Sequence, residues 1–165
     1  MGFKESIEER ALNANNVFIA SFLAGLNEFG ILNQAVMNIA SRRAGKYLAM
    51  FIEAKNPIKV DESKDIKEQC EQVLAFLNSI LSISDVNVEK EYDSIVVKIR
   101  NSKCRFCPKG VGEAELEGTI CPFPGLVEEF INHLCSKKVK IMRVDNKILK
   151  KEDDWCVMKY EVETD

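Results

Sequence analysis

The sequence predicts an α+β domain in which N-terminal helices pack on a mostly antiparallel sheet of about four strands, with one further helix crossing it. Three observations predict this. Apolar residues recur at three- and four-residue spacing through the first half. Short β-branched runs separated by turn residues fill the second half. One apolar stripe of helical period interrupts those runs.

From Glu5 to about Lys55 the period is helical, with Val17, Phe18, Phe22, Leu26 and Phe29 followed beyond Gly30 by Ile31, Ala35, Ile39, Leu48 and Ile52. This reads as two helices separated near Gly30. Phe18, Phe22, Phe29, Met37, Met50 and Phe51 supply more apolar surface than one sheet-facing stripe needs, so a dimer interface or a ligand cavity is expected to absorb the excess. Asn56-Pro57 stops the second helix, because the residue before proline is pushed out of the helical region. Asp61 and Ser63 offer N-caps for a third helix whose apolar set is Ile66, Cys70, Val73, Leu74, Leu77 and Leu81, running to about Ser82.

Val86 to Glu89 and Ser94 to Arg100, joined through Glu91-Tyr92-Asp93, read as a β-hairpin. The stretch CRFCPKGVGEAELEGTICPFPG at 104–125 follows, and Pro124-Gly125 opens a helix bearing Leu126, Val127, Phe130, Ile131 and Leu134, ending near Cys135. Val139 to Val144 and Trp155 to Val162 read as strands, and the lysine-rich stretches at Ser136–Lys138 and Lys147–Lys151 as solvated turns. The chain is expected to form one domain over 1–165, helical over about 5–82, with sheet, cysteine loop and helix over about 85–163.

A 165-residue chain buries roughly two thirds of its unfolded surface without covalent staples, so its six cysteines are not needed as scaffolding. A net charge of −3 gives no general attraction to nucleic acid or to an anionic membrane. Arg42, Arg43 and Lys46 form a small basic patch without interleaved aromatics, which does not make a nucleic-acid surface. The acidic start is no secretory signal, and the apolar stretches break well before the roughly 18–20 residues that span a bilayer; a cytoplasmic protein is expected.

In a reducing cytoplasm, clustered thiols point to metal binding or catalysis rather than to disulfides, intracellular proteins of hyperthermophiles excepted. Cys104 and Cys107, two residues apart, can turn both sulfurs toward one tetrahedral ion. Cys121 sits at the start of a helix, whose free amides stabilise the metal-binding thiolate. A final strand pairing beside Ser94–Arg100 brings Cys156 to the loop as the fourth ligand of a structural Zn2+ site; Cys135 and His133 are the competing fourth ligands. The alternatives are an iron–sulfur cluster, a disulfide within the loop, and cysteines packed as small hydrophobes, the reading that suits Cys70 on the apolar face of its helix. A helix-starting redox Cys-x-x-Cys is disfavoured by Pro108-Lys109-Gly110. No Ser/His/Asp set or phosphate-binding glycine loop supports hydrolytic or phosphoryl chemistry.

The segment Leu149 to Tyr160, a polar turn leading into a cysteine-bearing strand, resembles the closing motif of the 4-vinyl reductase domain family. The order of elements resembles the ligand-binding fold that this family shares with haem nitric-oxide-binding domains and subunits of the Golgi transport tethering complex. The loop looks most like that of archaeal stand-alone members. The resemblance implies a non-enzymatic module for a small hydrophobic molecule, hydrocarbon or aromatic, with a sensory or regulatory role. It also implies zinc held by a cysteine before the helix and by the final-strand cysteine, which Cys121 and Cys156 match. The family's middle ligand pair falls on Asp145 and Ile148, so Cys104 and Cys107 are inferred to replace it. Haem is disfavoured, His133 being the sole histidine. Two other readings stand beside this one: a cysteine- or metal-dependent redox enzyme or accessory protein, and a homodimeric interaction or scaffold protein joined through its N-terminal helices.

Overall fold

A computed structural model of the chain describes residues 2–109, 111 and 120–163. Its elements run α1 (Phe3–Glu9), α2 (Ala14–Glu28), α3 (Gln34–Lys55), α4 (Ile66–Leu81), β1 (Val86–Glu91), β2 (Ser94–Arg100), α5 (Phe123–Leu134), β3 (Val139–Ile141), β4 (Lys150–Glu152) and β5 (Trp155–Val162). The α+β class and the antiparallel sheet agree with the sequence reading. All pairings are antiparallel in the order β1-β2-β5-β3, with β4 also pairing β5.

Several local readings are corrected. A short helix α1 precedes α2, and the chain breaks between them where Ala11 takes φ +50° and Asn13 caps α2 by accepting from Asn16 N at 3.0 Å. Asp61 and Ser63 bond to each other as a turn; the cap of α4 is Asp65, accepting from Glu68 N at 2.9 Å. The strand expected over Val139–Val144 ends at Ile141, because Asp145 and Asn146 take φ +52° and +61° in a tight turn bridging Val144 to Lys147. Beyond that turn Lys150–Glu152 pair with β5, so part of the stretch read as solvated turn is a fifth strand.

The structure also decides which faces of α2 and α3 are inside, which the apolar period left open. The buried residues of α2 are Asn16, Ala20 and Ala24, and those of α3 are Met37, Ser41, Gly45, Ala49 and Ile52. The aromatic stripe points outward, with Phe18 70%, Phe22 57%, Phe29 81% and Phe51 59% exposed. The surplus of apolar surface is real, and it lies on the outside of the molecule.

Small residues face inward because two backbones meet there. A Cβ on Gly45 would lie 2.6 Å from the Leu126 carbonyl oxygen of α5, and one on Gly125 would run into the Asn38 carbonyl of α3 and reach 2.7 Å from Ser41 Oγ. Both positions accept only hydrogen at this separation. Held this close to α3, α5 turns Phe130, Ile131 and Val127 into the main core with Val97, Ile99 and Met158 of the sheet and Val73, Leu74 and Leu77 of α4. Tyr160 of β5, fully buried, donates its hydroxyl to Pro124 O at 3.0 Å. Buried Glu128 of α5 receives Arg42 at 2.7 Å and Ile141 N at 3.1 Å, which ties α3, α5 and β3 together at one carboxylate.

Gly125→Ala is therefore expected to destabilise the chain by about 1–3 kcal/mol through overpacking. Gly25→Ala, which meets nothing within 4 Å on α2, should instead stabilise by about 0.5–1 kcal/mol. Urea unfolding of the two variants checks both signs.

Candidate metal centre

Four cysteines reach one place from three separate parts of the chain. Cys156 lies on β5, opposite Ile99 of β2 on one side and Lys151 of β4 on the other. Cys104 and Cys107 lie in the turn-rich loop that leaves β2 at Arg100, and Cys121 immediately precedes α5. All four line a single cavity of about 270 Å³, whose remaining wall includes Ile99, Phe106, Ile120, Phe123 and Met158, with Arg10, Lys109 and Lys151 also facing it.

Specific hydrogen bonds fix each contributor. The loop after β2 is pinned to the β4–β5 turn, where Asn101 N donates to Asp154 O at 2.8 Å, and Ser102 donates through N and Oγ to the Asp154 carboxylate at 3.1 and 2.8 Å. Arg10, just past α1, donates to Cys107 O at 3.0 Å and Lys109 O at 2.6 Å, while its own carbonyl accepts from Arg105 Nε at 3.1 Å. Phe106 packs edge-on against Phe123, with ring centroids 5.5 Å apart. On the other wall, Gln34 at the start of α3 brackets Cys121: its Nε2 donates to Cys121 O at 3.0 Å and its Oε1 accepts from Cys121 N at 2.9 Å.

The electrostatics follow from this convergence. Burial, reinforced by Cys107, pushes the Cys104 thiol up to about 12. Burial and then Cys107 raise Cys156 to about 11, and burial and then Cys104 hold Cys121 well above the usual thiol range. Opposing these effects, backbone N–H groups of Phe106 and Cys107 point at the Cys104 sulfur and that of Phe123 at the Cys121 sulfur, which favours the thiolate. Every pair among the four sulfurs is close enough for charge on one to disfavour charge on another. Among the described residues, however, no three His, Cys, Asp or Glu side chains close into a ready-made coordination shell. The four thiols thus share a cavity without forming a finished tetrahedron.

The two competing fourth ligands lie elsewhere. Cys135 lies beside Cys70, where Gln69 bonds Ser136, and His133 Nε2 bonds Glu53 at 2.9 Å; neither lines the cavity. Cys70 is wholly buried in the main core, as its place on the apolar face of α4 implied. The middle of the cysteine loop, residues 110 and 112–119, lies outside the described residues. Sequence reasoning missed Gln34, Arg10 and Asp154, which carry no motif: each is a lone polar residue whose partner is distant in the chain.

The same layering of helices on an antiparallel sheet occurs in a trafficking protein particle complex subunit 3 from Naegleria fowleri, a structure covalently bound to palmitic acid. The two superpose with a TM-score of 0.58 at 12% identity, over 91% of this chain and 96% of that one. The chain therefore shares the fold of that subunit. The chain belongs to the MJ0207 family, whose model matches residues 30–162. Two relatives come from Methanocaldococcus jannaschii: uncharacterized protein MJ1342, 30% identical over 114 residues (68% of this chain, 90% of that one), and uncharacterized protein MJ0207, 37% identical over 99 residues (60% of this chain). The match spans 58% of the length of MJ0207 itself. No helix among the described residues is long and apolar enough to cross a membrane.

Gln34→Ala removes both bonds to the Cys121 backbone and should cost about 1–2 kcal/mol, because a half-buried amide and carbonyl lose their partner. It should also speed alkylation of Cys121 relative to Cys104 in the metal-free protein, measured by mass-resolved labelling.

Proposed function

We propose that this chain is a non-enzymatic binding module in which an apolar cavity takes a small hydrocarbon or aromatic molecule and a structural zinc ion pins the loop that forms its wall. One observation carries the reading: Cys104, Cys107, Cys121 and Cys156, from three separated segments, all face one cavity. The donor chemistry fits the ion. Four thiolates make a closed set with no open position, and two residues separate the first pair. The backbone N–H groups aimed at Cys104 and Cys121 stabilise the charged sulfurs that a metal requires. Arg10, Lys109 and Lys151 on the same wall offset the negative charge of a tetrathiolate. When bound, the ion supplies a cross-link between the loop, α5 and β5, and its binding free energy becomes folding free energy.

Thiols pushed above their ordinary range are slow nucleophiles, which favours this reading over a thiol-dependent enzyme. A cavity of about 270 Å³ lies near the lower end of ligand pockets, roughly 300–1,000 Å³, and suits a small apolar guest. Kinship with the 4-vinyl reductase domains belongs to the same proposal and rests on Cys121 and Cys156 standing where that family places its first and last zinc ligands. Palmitic acid on the trafficking-complex subunit is an apolar guest carried by the same fold, which supports an apolar occupant as a class. Free thiolate ligands suit a reducing cytoplasm, where we place the protein.

Native mass spectrometry of the protein as purified should show one zinc per chain. A strong chelator should remove it and lower the melting midpoint by roughly 10 °C or more. Cys121→Ser combined with Cys156→Ser should abolish zinc, while Cys70→Ala retains it. Metal-free protein whose melt ignores the chelator would refute the zinc site.

The exposed aromatic face of α2 and α3 favours a second element of the proposal, a homodimer. Phe18 and Phe22 stack on each other at 6.1 Å between centroids, and Phe29, Ile39 (70%) and Phe51 extend the exposed surface. Apolar patches of this extent mark interaction surfaces. Sedimentation velocity should report a dimer for the unaltered chain and a monomer for Phe22→Glu, with unchanged secondary structure by circular dichroism.

A further inference from the structure

The remaining two cysteines face each other where α4 meets the C-terminal end of α5. Cys70 is fully buried and Cys135 is 7% exposed, and both belong to the main core. The neighbouring residues hold them in place. Gln69 Oε1 accepts from Ser136 N at 2.9 Å and from Ser136 Oγ at 3.0 Å, while Gln69 Nε2 donates to Lys64 O at 2.8 Å. Cys135 N in turn donates to Ile131 O at 2.8 Å, closing the last turn of α5. The Gln69–Ser136 bonds therefore fix the backbones on either side of the two thiols side by side, close enough for each thiol to influence the other's ionisation.

We propose that Cys70 and Cys135 are a dithiol that a peroxide closes to an intramolecular disulfide, stapling α4 to the end of α5. The chemistry balances in two steps. The Cys135 sulfur attacks one oxygen of hydrogen peroxide, breaking the O–O bond to give a sulfenic acid and water. The Cys70 sulfur then attacks the sulfenic sulfur, forming the S–S bond and expelling its oxygen as a second water that takes up the thiol proton. The protein loses two electrons and two hydrogens, and peroxide is reduced to two waters. Cys135 is the sulfur that reacts first, being the more exposed of the two. The bond would close a long loop and fasten the end of α5 opposite Cys121, so that helix would be tied at both ends.

This inference is independent of the zinc reading, and its test keeps the two apart. The 165-residue chain as purified is treated with a small excess of hydrogen peroxide, alkylated under denaturing conditions, and mapped by peptide mass. The expected product is the Cys70 peptide linked to the Cys135 peptide, lighter than the sum of the two by two hydrogens and separated by reductant. The melting midpoint should rise by about 10 °C. Cys70→Ala, Cys70→Val and Cys135→Ala should each remove the rise, and Cys121→Ser should still form the link. Recovery of both cysteines singly alkylated, or a Cys135 oxidised no further than its own sulfenic or sulfinic acid, overturns the proposal. So does a link found only among Cys104, Cys107, Cys121 and Cys156.

Discussion

The close approach of α3 and α5 at Gly45 and Gly125 is the contact on which the rest of this molecule depends. Hydrogen in place of a side chain at these two positions lets the helix backbones come within reach of each other's carbonyls. On α3 the turns flanking Gly45 present only the small Ser41 and Ala49 to the inside, and the crossing sets where α5 lies on the sheet. Tyr160, Glu128 and Arg42 then complete the arrangement with bonds that run from helix to helix and from helix to strand. Glu128 is only 5% exposed, and a carboxylate so placed is tolerable because it has a guanidinium and an amide to accept from.

Cys121 inherits its position from that crossing. It precedes α5 by one turn residue, and Gln34, the first residue of α3, holds both its amide and its carbonyl. The opposite wall of the cavity is set by the sheet instead, through the pairing of Ile99 with Cys156 and the anchoring of the loop after β2 to Asp154. Two independent parts of the fold thus bring sulfurs to the same small volume. Burial, reinforced by the neighbouring sulfurs, holds the thiols of Cys104, Cys121 and Cys156 above their ordinary range, a cost that a cation would offset.

Much of this was legible beforehand for identifiable reasons. The hairpin β1–β2, α4 and α5 are amphipathic elements packed on a core, and for such elements period and burial coincide: Ile66, Cys70, Val73, Leu74 and Leu77 are all inside. The pairing of β2 with β5, and with it the convergence of Cys156 on the cysteine loop, followed from strand order. The faces of α2 and α3 did not follow. There the aromatic stripe lies outside; on α3 Ser41, Gly45 and Ala49 lie inside between Met37 and Ile52, because the close crossing with α5 selects for small volume rather than for hydrophobicity. The fifth strand was missed for a related reason, since Lys150–Glu152 are exposed and carry no apolar alternation.

Local chemistry, then, was enough to determine the α+β class and most of the elements, and to single out the cysteine-rich loop. Apolar period and turn residues act over a few positions, and they can be read without knowing what lies opposite. Tertiary structure alone decided which face of each N-terminal helix is buried, which polar residues clamp the cysteines, and that Cys135 belongs with Cys70 rather than with the other four. Those outcomes depend on partners tens of residues away, and only the packed chain brings them together.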